Sequence, residues 1–216
     1  MFYYKLSPNP ADKKWRGYEN AGIDLFFNGE TLSPRKLSKC NYKLDYNFLE
    51  FKRLKNGKIP PINSIGASFI IFDRGIKEIE TINDTGIQLI PLVNSETKRE
   101  YSLMHLYIEL DCVNWEKSDL YKWGENDIIK EWQNKRARWF FRPALFLEKI
   151  PEDIQAFKLK EWGDAFNIVI SEKLKEKILK LDFDHSFLVF EKIGAEISQE
   201  NKWYDVQKGG TSHNKR

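Results

Sequence analysis

Residues 101–113, Tyr-Ser-Leu-Met-His-Leu-Tyr-Ile-Glu-Leu-Asp-Cys-Val, constrain the fold more than any other stretch of the chain. Met104, Leu106, Ile108, Leu110 and Cys112 fall on one side of an extended backbone, and His105, Tyr107, Glu109 and Asp111 on the other. A two-residue period of this kind suits a β-strand with one apolar face on a core. A strand cannot satisfy its backbone alone, so the chain must build at least one sheet around it.

Other segments supply partners. Residues 2–6 read as a short strand closed by Ser7-Pro-Asn-Pro, and residues 44–54 alternate before the turn Lys55-Asn-Gly-Lys, after which Pro60-Pro61 bars a helix. The apolar run 68–72 leads to Asp73, a helix-capping residue, with Ile76, Ile79 and Ile82 at helical spacing behind it. Gly86 ends that helix, and 87–93 resumes as a strand. Residues 114–124 read as a loop carrying Trp115 and Trp123, and 127–134 as a helix. Gly163 and Gly194 are assigned to turns of positive φ.

A second copy of this order is expected downstream. Residues 166–170 form a strand ending at Ser171, a cap like Asp73; Leu174, Lys175 and Glu176 then stand where Ile76, Lys77 and Glu78 stand earlier. Phe157-Lys-Leu-Lys parallels Phe51-Lys-Arg-Leu, and 187–190 parallels 87–90. The expected fold class is α+β, with mixed or mainly antiparallel sheets, few helices and a duplicated strand-strand-helix-strand unit over 46–93 and 154–193. Residues 1–45 are expected as an N-terminal strand and loop segment packed on a main domain of 46–194, and 195–216 as a disordered tail.

Composition excludes several classes. Hydrophobic residues at 41% and charged residues at 31% suit a folded chain rather than a disordered or membrane-embedded one. No apolar run approaches the roughly 20 residues needed to span a bilayer. The first residues carry no basic region before an apolar run, so no secretory signal and a cytoplasmic location are expected. Cys40 and Cys112 are the only cysteines and stand in no metal-ligand spacing, which suits two inert thiols in a reducing compartment. A net charge of +3, from 35 basic and 32 acidic residues, provides no broad field for nucleic acid.

Chemistry-bearing motifs are sparse. His105, His185 and His213 form no ligand pattern, so no metal and no cofactor is expected, and Gly-x-Ser-x-Gly and Gly-rich phosphate loops do not occur. His105, Glu109 and Asp111 would share one solvated strand face and make the best acid/base group in the chain. The segment Lys135-Arg-Ala-Arg-Trp-Phe-Phe-Arg-Pro143 mixes cations with aromatics, a combination that serves packing, protein interfaces or single-stranded nucleic acid. Alternation there would bury Trp139 and Phe141 while exposing Arg138 and Phe140, or the reverse.

The segments Phe69-Ile-Ile-Phe-Asp-Arg-Gly-Ile-Lys-Glu, Ile168-Val-Ile-Ser-Glu-Lys-Leu-Lys-Glu-Lys and, between them, Tyr107-Ile-Glu-Leu-Asp-Cys-Val-Asn-Trp-Glu-Lys-Ser118 resemble the eleventh family of polymorphic-toxin immunity proteins, formerly a domain of unknown function. The resemblance runs over residues 48–193. It implies a bacterial cytoplasmic protein that binds and neutralises one cognate toxin domain encoded by an adjacent gene, without catalytic residues of its own. The anchors expected for that partner are Arg138, Trp139, Phe140 and Arg142, with His105, Tyr107 and Glu109 as a second face. The alternatives are an enzyme that reverses a toxin's modification through His105, Glu109 and Asp111, and a nucleic-acid-binding module using residues 136–142.

Overall fold

The computed structural model describes residues 2–8, 23–53, 62–65, 69–131, 133–163 and 167–195. The expected turns at 55–58 and 60–61, His213 and all of the expected tail beyond residue 195 lie outside them.

The chain has an α+β fold of mixed and antiparallel sheets, with two α-helices among the described residues. A five-stranded sheet contains β1 (Tyr3–Pro8), and a seven-stranded sheet starts with β2 (Ile23–Phe27) and β3 (Glu30–Leu32). After α1 (Pro34–Ser38), the larger sheet takes in β4 (Leu49–Arg53), β5 (Ile62–Ile65), β6 (Phe69–Asp73), β7 (Ile87–Asn94) and β8 (Glu100–Leu106). Its order is β3-β2-β4-β7-β8-β6-β5. The chain then passes through β9 (Glu109–Leu110), the ribbon strands β10 (Asp119–Tyr121) and β11 (Trp139–Arg142), β12 (Ala156–Leu159), β13 (Val169–Ser171), α2 (Glu172–Lys180) and β14 (Leu188–Ile193). The smaller sheet runs β14-β1-β13-β12-β9, while β10 and β11 form a two-stranded ribbon among the described residues. Among the described residues no helix is long and apolar enough to cross a membrane.

The strand read over 101–113 is therefore shared between sheets. It is straight through Leu106, turns at Tyr107 and Ile108, and re-enters as β9 parallel to β12. Its first part is buried on both faces rather than one. Tyr101 and Leu103 join a cluster with Leu37, Leu44, Leu49, Phe51 and Leu92, whereas Met104 and Leu106 join Phe72, Ile82, Leu174 and Ile178 on the other side.

Two crossovers share one wiring. The β13–α2–β14 passage leaves a gap filled by β1, antiparallel to both strands, and β12 pairs antiparallel on the outer side of β13. From β6 to β7 the gap is filled by β8, again antiparallel to both, with β5 antiparallel on the outer side of β6. In this wiring β5 stands where β12 stands, so Phe51 on β4 and Phe157 on β12 are not on corresponding strands. The N-terminal β1 is an interior strand of its sheet rather than a segment lying on a finished domain.

The two capping residues behave differently. Ser171 Oγ accepts the Leu174 N–H at 3.1 Å and starts a nine-residue helix that buries Leu174 and Ile178. Asp73 instead accepts the Gly75 N–H at 2.9 Å, a local turn, and Glu78 adopts φ of 61°. Gly75 and the left-handed Glu78 break the expected helix, leaving a 3-10 turn over Ile79–Ile82 that still buries Ile79 and Ile82. The expected helix over 127–134 is also absent. Asp127 folds back to accept the Gly124 N–H at 2.8 Å, and Ile128 points into solvent, so no apolar face forms. Gly163 has the expected positive φ, at 103°, whereas Gly194 does not.

The sheets approach each other closely at Gly86. Its φ is 98°, and a Cβ there would stand 1.8 Å from the Ala156 carbonyl oxygen. Gly86→Ala should lower unfolding free energy by about 3 kcal/mol or more, through strain plus forced separation of backbones. Urea denaturation of the variant tests this, and an unchanged midpoint would show that the contact is dispensable.

Candidate functional site

The residues singled out in the sequence fall into two places. The first is a polar seam where α1 and the chain after it lie over the ends of β8 and β12. His105 is fully enclosed there, with its Nε2 2.9 Å from the Tyr42 carbonyl oxygen. A carbonyl only accepts, so the ring carries its proton on Nε2. Burial pushes the His105 pKa down to about 4, aided by the nearby Lys158 ammonium and opposed by the bond to Tyr42. Lys158 is buried too, and its Nζ donates to the carbonyls of Ser38 and Cys40, each at 2.8 Å. Those oxygens lie at the end of α1, where carbonyls lack helical partners and a cation is favoured. Burial lowers the Lys158 pKa, while Glu109 works in the opposite direction.

This arrangement corrects the reading of His105 as part of a solvated face. Tyr101 and Leu103 share its side of β8, and the chain after α1 covers all three. The expected acid/base row is also divided. Tyr107 interrupts the strand, its hydroxyl accepting the Gly86 N–H at 3.1 Å; Glu109 is exposed on β9 of the other sheet; and Asp111 is exposed beside Lys160 at 3.6 Å. A cleft of about 260 Å³ opens next to Lys158, lined by Glu109, Asn134, Glu161 and Asn167 among others. Two of its polar side chains hold its own walls: Asn167 bonds the backbone of Leu159 and Gly163, and Asn134 bonds the Glu161 carbonyl at 2.8 Å.

The second place is the β10–β11 ribbon. Directly opposed residues of an antiparallel pair share a face. Leu120 opposes Phe140, and both turn inward, Leu120 into the cluster of Val113, Ile154, Phe157 and Trp162 and Phe140 against it. Tyr121 opposes Trp139, and both turn outward, 37% and 59% exposed. Arg138 is exposed beside them, its guanidinium 6.0 Å from the Trp123 ring. The loop joining the strands adds Ile128, 89% exposed.

The four expected anchors therefore divide. Arg138 and Trp139 face outward. Phe140 instead packs edge-on to Trp162 at 5.1 Å and against Trp115 at 6.3 Å, and Arg142 is half-buried in an ion pair with Glu191. Arg136 likewise pairs with Glu161 and lies 4.8 Å from the Trp115 ring. Neither expected alternation holds, because Trp139 and Arg138 are both exposed while Phe140 and Phe141 are both partly covered. Tyr121 and Ile128 were not legible as surface anchors. The signal for Tyr121 was its pairing with Trp139, which requires knowing that residues 119–121 form a strand.

The remaining thiols and imidazole are held in structure. Cys112 is enclosed, burial pushing its pKa up to about 12 with help from Asp111, whereas Cys40 is half-buried with Sγ 3.4 Å from the Tyr42 hydroxyl. His185 Nε2 lies 3.0 Å from the Ile178 carbonyl at the end of α2. No group of three His, Cys, Asp or Glu side chains able to hold a metal ion occurs among the described residues. No family model matches the chain, and no curated protein matches it.

The inward and outward faces of the ribbon differ in what they support. Phe140→Ala should lower stability by about 2 kcal/mol, less than a fully buried Phe because the ring is only partly enclosed. Trp139→Ala should stay within about 0.5 kcal/mol of the parent. Parallel chemical denaturation of both variants distinguishes the two, and equal losses would place Trp139 in the packing.

Proposed function

We propose that this protein acts by binding another protein through the outward face of the β10–β11 ribbon, and that the partner is a bacterial toxin domain which it neutralises by occupying it. The observation that carries the reading is the exposed cross-strand pair Tyr121 and Trp139 with Arg138 beside it. Tyr, Trp and Arg are the residue types most enriched where protein interfaces concentrate their binding energy. An isolated exposed apolar residue is ordinary, but two opposed aromatics with Ile128 on the adjoining loop form a feature that water does not favour.

The mounting supports the same reading. Phe140, Trp115 and Trp162 interlock behind the pair, and Arg136 and Arg142 tie the ribbon to Glu161 and Glu191. A surface already held in place loses less conformational entropy on binding. These ion pairs also engage two of the three arginines that a phosphate backbone would need, which favours protein over nucleic acid as the partner. The nature of the partner comes from the resemblance of residues 48–193 to the immunity family. Stoichiometric neutralisation draws on aromatic anchors and charge, and Tyr121, Trp139 and Arg138 supply them on the outward face of the ribbon.

The test is calorimetric titration with the catalytically disabled toxin domain encoded beside this chain's gene. One-to-one binding in the nanomolar range is expected, weakened about 30-fold or more by Tyr121→Ala with Trp139→Ala in one variant, as for a pair of interface hot spots. Failure of the parent protein to bind that domain would overturn the toxin assignment.

A further inference from the structure

Lys158 on β12 and Glu109 on β9 stand directly opposite each other in the parallel pairing of those strands, so both side chains leave the same face of the sheet. Oppositely charged neighbours in such positions attract each other. Here they form no ion pair. Among the described residues the Lys158 ammonium meets no carboxylate, and its partners are the Ser38 and Cys40 carbonyl oxygens, each at 2.8 Å. An ammonium carries three N–H donors, so one is left over. Only 4% of Lys158 is exposed, and a cation enclosed to that degree is ordinarily matched by a counter-charge. Burial lowers the Lys158 pKa and the Glu109 charge raises it, so the two groups act on each other across a gap that neither closes.

Both residues line the cleft of about 260 Å³. Its other walls are set in advance: Asn167 holds the backbone of Leu159 and Gly163, Asn134 holds the Glu161 carbonyl, and Arg136 engages the Glu161 carboxylate. A guest therefore finds a buried N–H donor on Lys158, an exposed carboxylate on Glu109 and walls that need no reordering.

We propose that this cleft binds a free α-amino acid with a short side chain, its carboxylate on Lys158 and its ammonium on Glu109. The ligand carboxylate supplies the counter-charge that the enclosed ammonium lacks. A simple anion would do the same but would face Glu109, whereas a zwitterion satisfies both ends. The lining as a whole agrees, since Lys39 and Lys158 balance Glu109 and Glu161 and a guest without net charge is preferred. Neighbouring strands lie about 4.8 Å apart, a spacing that groups on a single carbon can bridge from side chain to side chain. At the roughly 30 Å³ that one water occupies in the liquid, the cleft has room for about nine non-hydrogen atoms. Leu159 is the one large apolar residue of the lining, so a long hydrocarbon side chain finds little to cover it.

Calorimetric titration of the full chain with L-serine tests the proposal, with a dissociation constant below about 1 mM expected. L-Serinamide removes the carboxylate and N-acetyl-L-serine removes the ammonium, and each should bind about 10-fold or more weakly. Glu109→Gln lies on the surface and should melt with the parent, yet it should weaken L-serine about 10-fold while leaving N-acetyl-L-serine unchanged. Backbone amide shifts on adding L-serine should fall on Glu109, Lys158 and Gly163 and spare Tyr121 and Trp139. Absence of binding by L-serine, glycine and L-aspartate up to about 10 mM would show that water alone serves the Lys158 donor, and would overturn the proposal. Equal affinity for N-acetyl-L-serine, or L-serine binding that Glu109→Gln leaves intact, would do so as well. Lys158→Met should abolish binding, and where that variant folds poorly the Glu109→Gln comparison decides.

Discussion

The close approach of the two sheets at Gly86 and Ala156 governs much of the remaining geometry. The Thr85 carbonyl accepts the N–H groups of both Gln155 and Ala156, at 3.0 and 3.2 Å, so the backbones join where no side chain intervenes. Gly86 is bound from the other direction by Tyr107, which gives its N–H to the Gly86 carbonyl at 3.2 Å and receives the Gly86 N–H on its hydroxyl. That double contact draws the chain out of β8 after Leu106. Two residues later the Ile108 carbonyl accepts the Lys158 N–H at 2.8 Å, and the same segment has become part of the smaller sheet. One glycine thus sets the distance at which a single strand can serve both sheets, and Tyr107 is a structural residue for that reason.

Much of this was legible. The run at 87–93, the strand at the N-terminus and the helix started by Ser171 each follow from local chemistry, and each forms close to its expected place. Asp73 misled because a capping residue does not decide between a helix and a turn. Gly75 two positions on made the tight turn the cheaper solution, whereas Lys173 at the same offset from Ser171 supports a helix. The interior place of β1 could not be read locally, since pairing across the whole chain length leaves no trace in the paired segments. Nor could the switch of sheets at Tyr107, which depends on a partner 21 residues away.

The site was legible in residue type but not in placement. His105 looked solvent-facing because polar residues alternate after it, yet Tyr101 and Leu103 on the same side already marked that face as covered. The cover comes from residues 38–44, a stretch without periodicity, and what holds it is side chain to backbone bonding that no sequence pattern encodes. The basic aromatic segment divides between packing and surface. Which of its members face outward was set by the pairing of Leu120 with Phe140, which turns their neighbours Tyr121 and Trp139 the other way.

The two surfaces differ in the physics they recruit. On the ribbon, charge is neutralised nearby, by Glu161 and Glu191, and the exposed aromatic area is what distinguishes the face. Such a surface gains from desolvating apolar area and varies little with pH. At the seam, by contrast, polar groups are enclosed and bonded, His105 to the Tyr42 carbonyl and Lys158 to the carbonyls of Ser38 and Cys40. The wall of bonded side chains around Asn134, Glu161 and Asn167 lies between the Lys158 cleft and Phe140. Gly163 closes that wall: it packs against the Phe140 ring at a distance that would leave a Cβ 3.2 Å from the nearest carbon, so the ribbon rests on the same turn whose carbonyl Asn167 holds. The turn at Glu161 and Gly163 therefore lies between the ribbon and the seam, and its two left-handed residues keep it short.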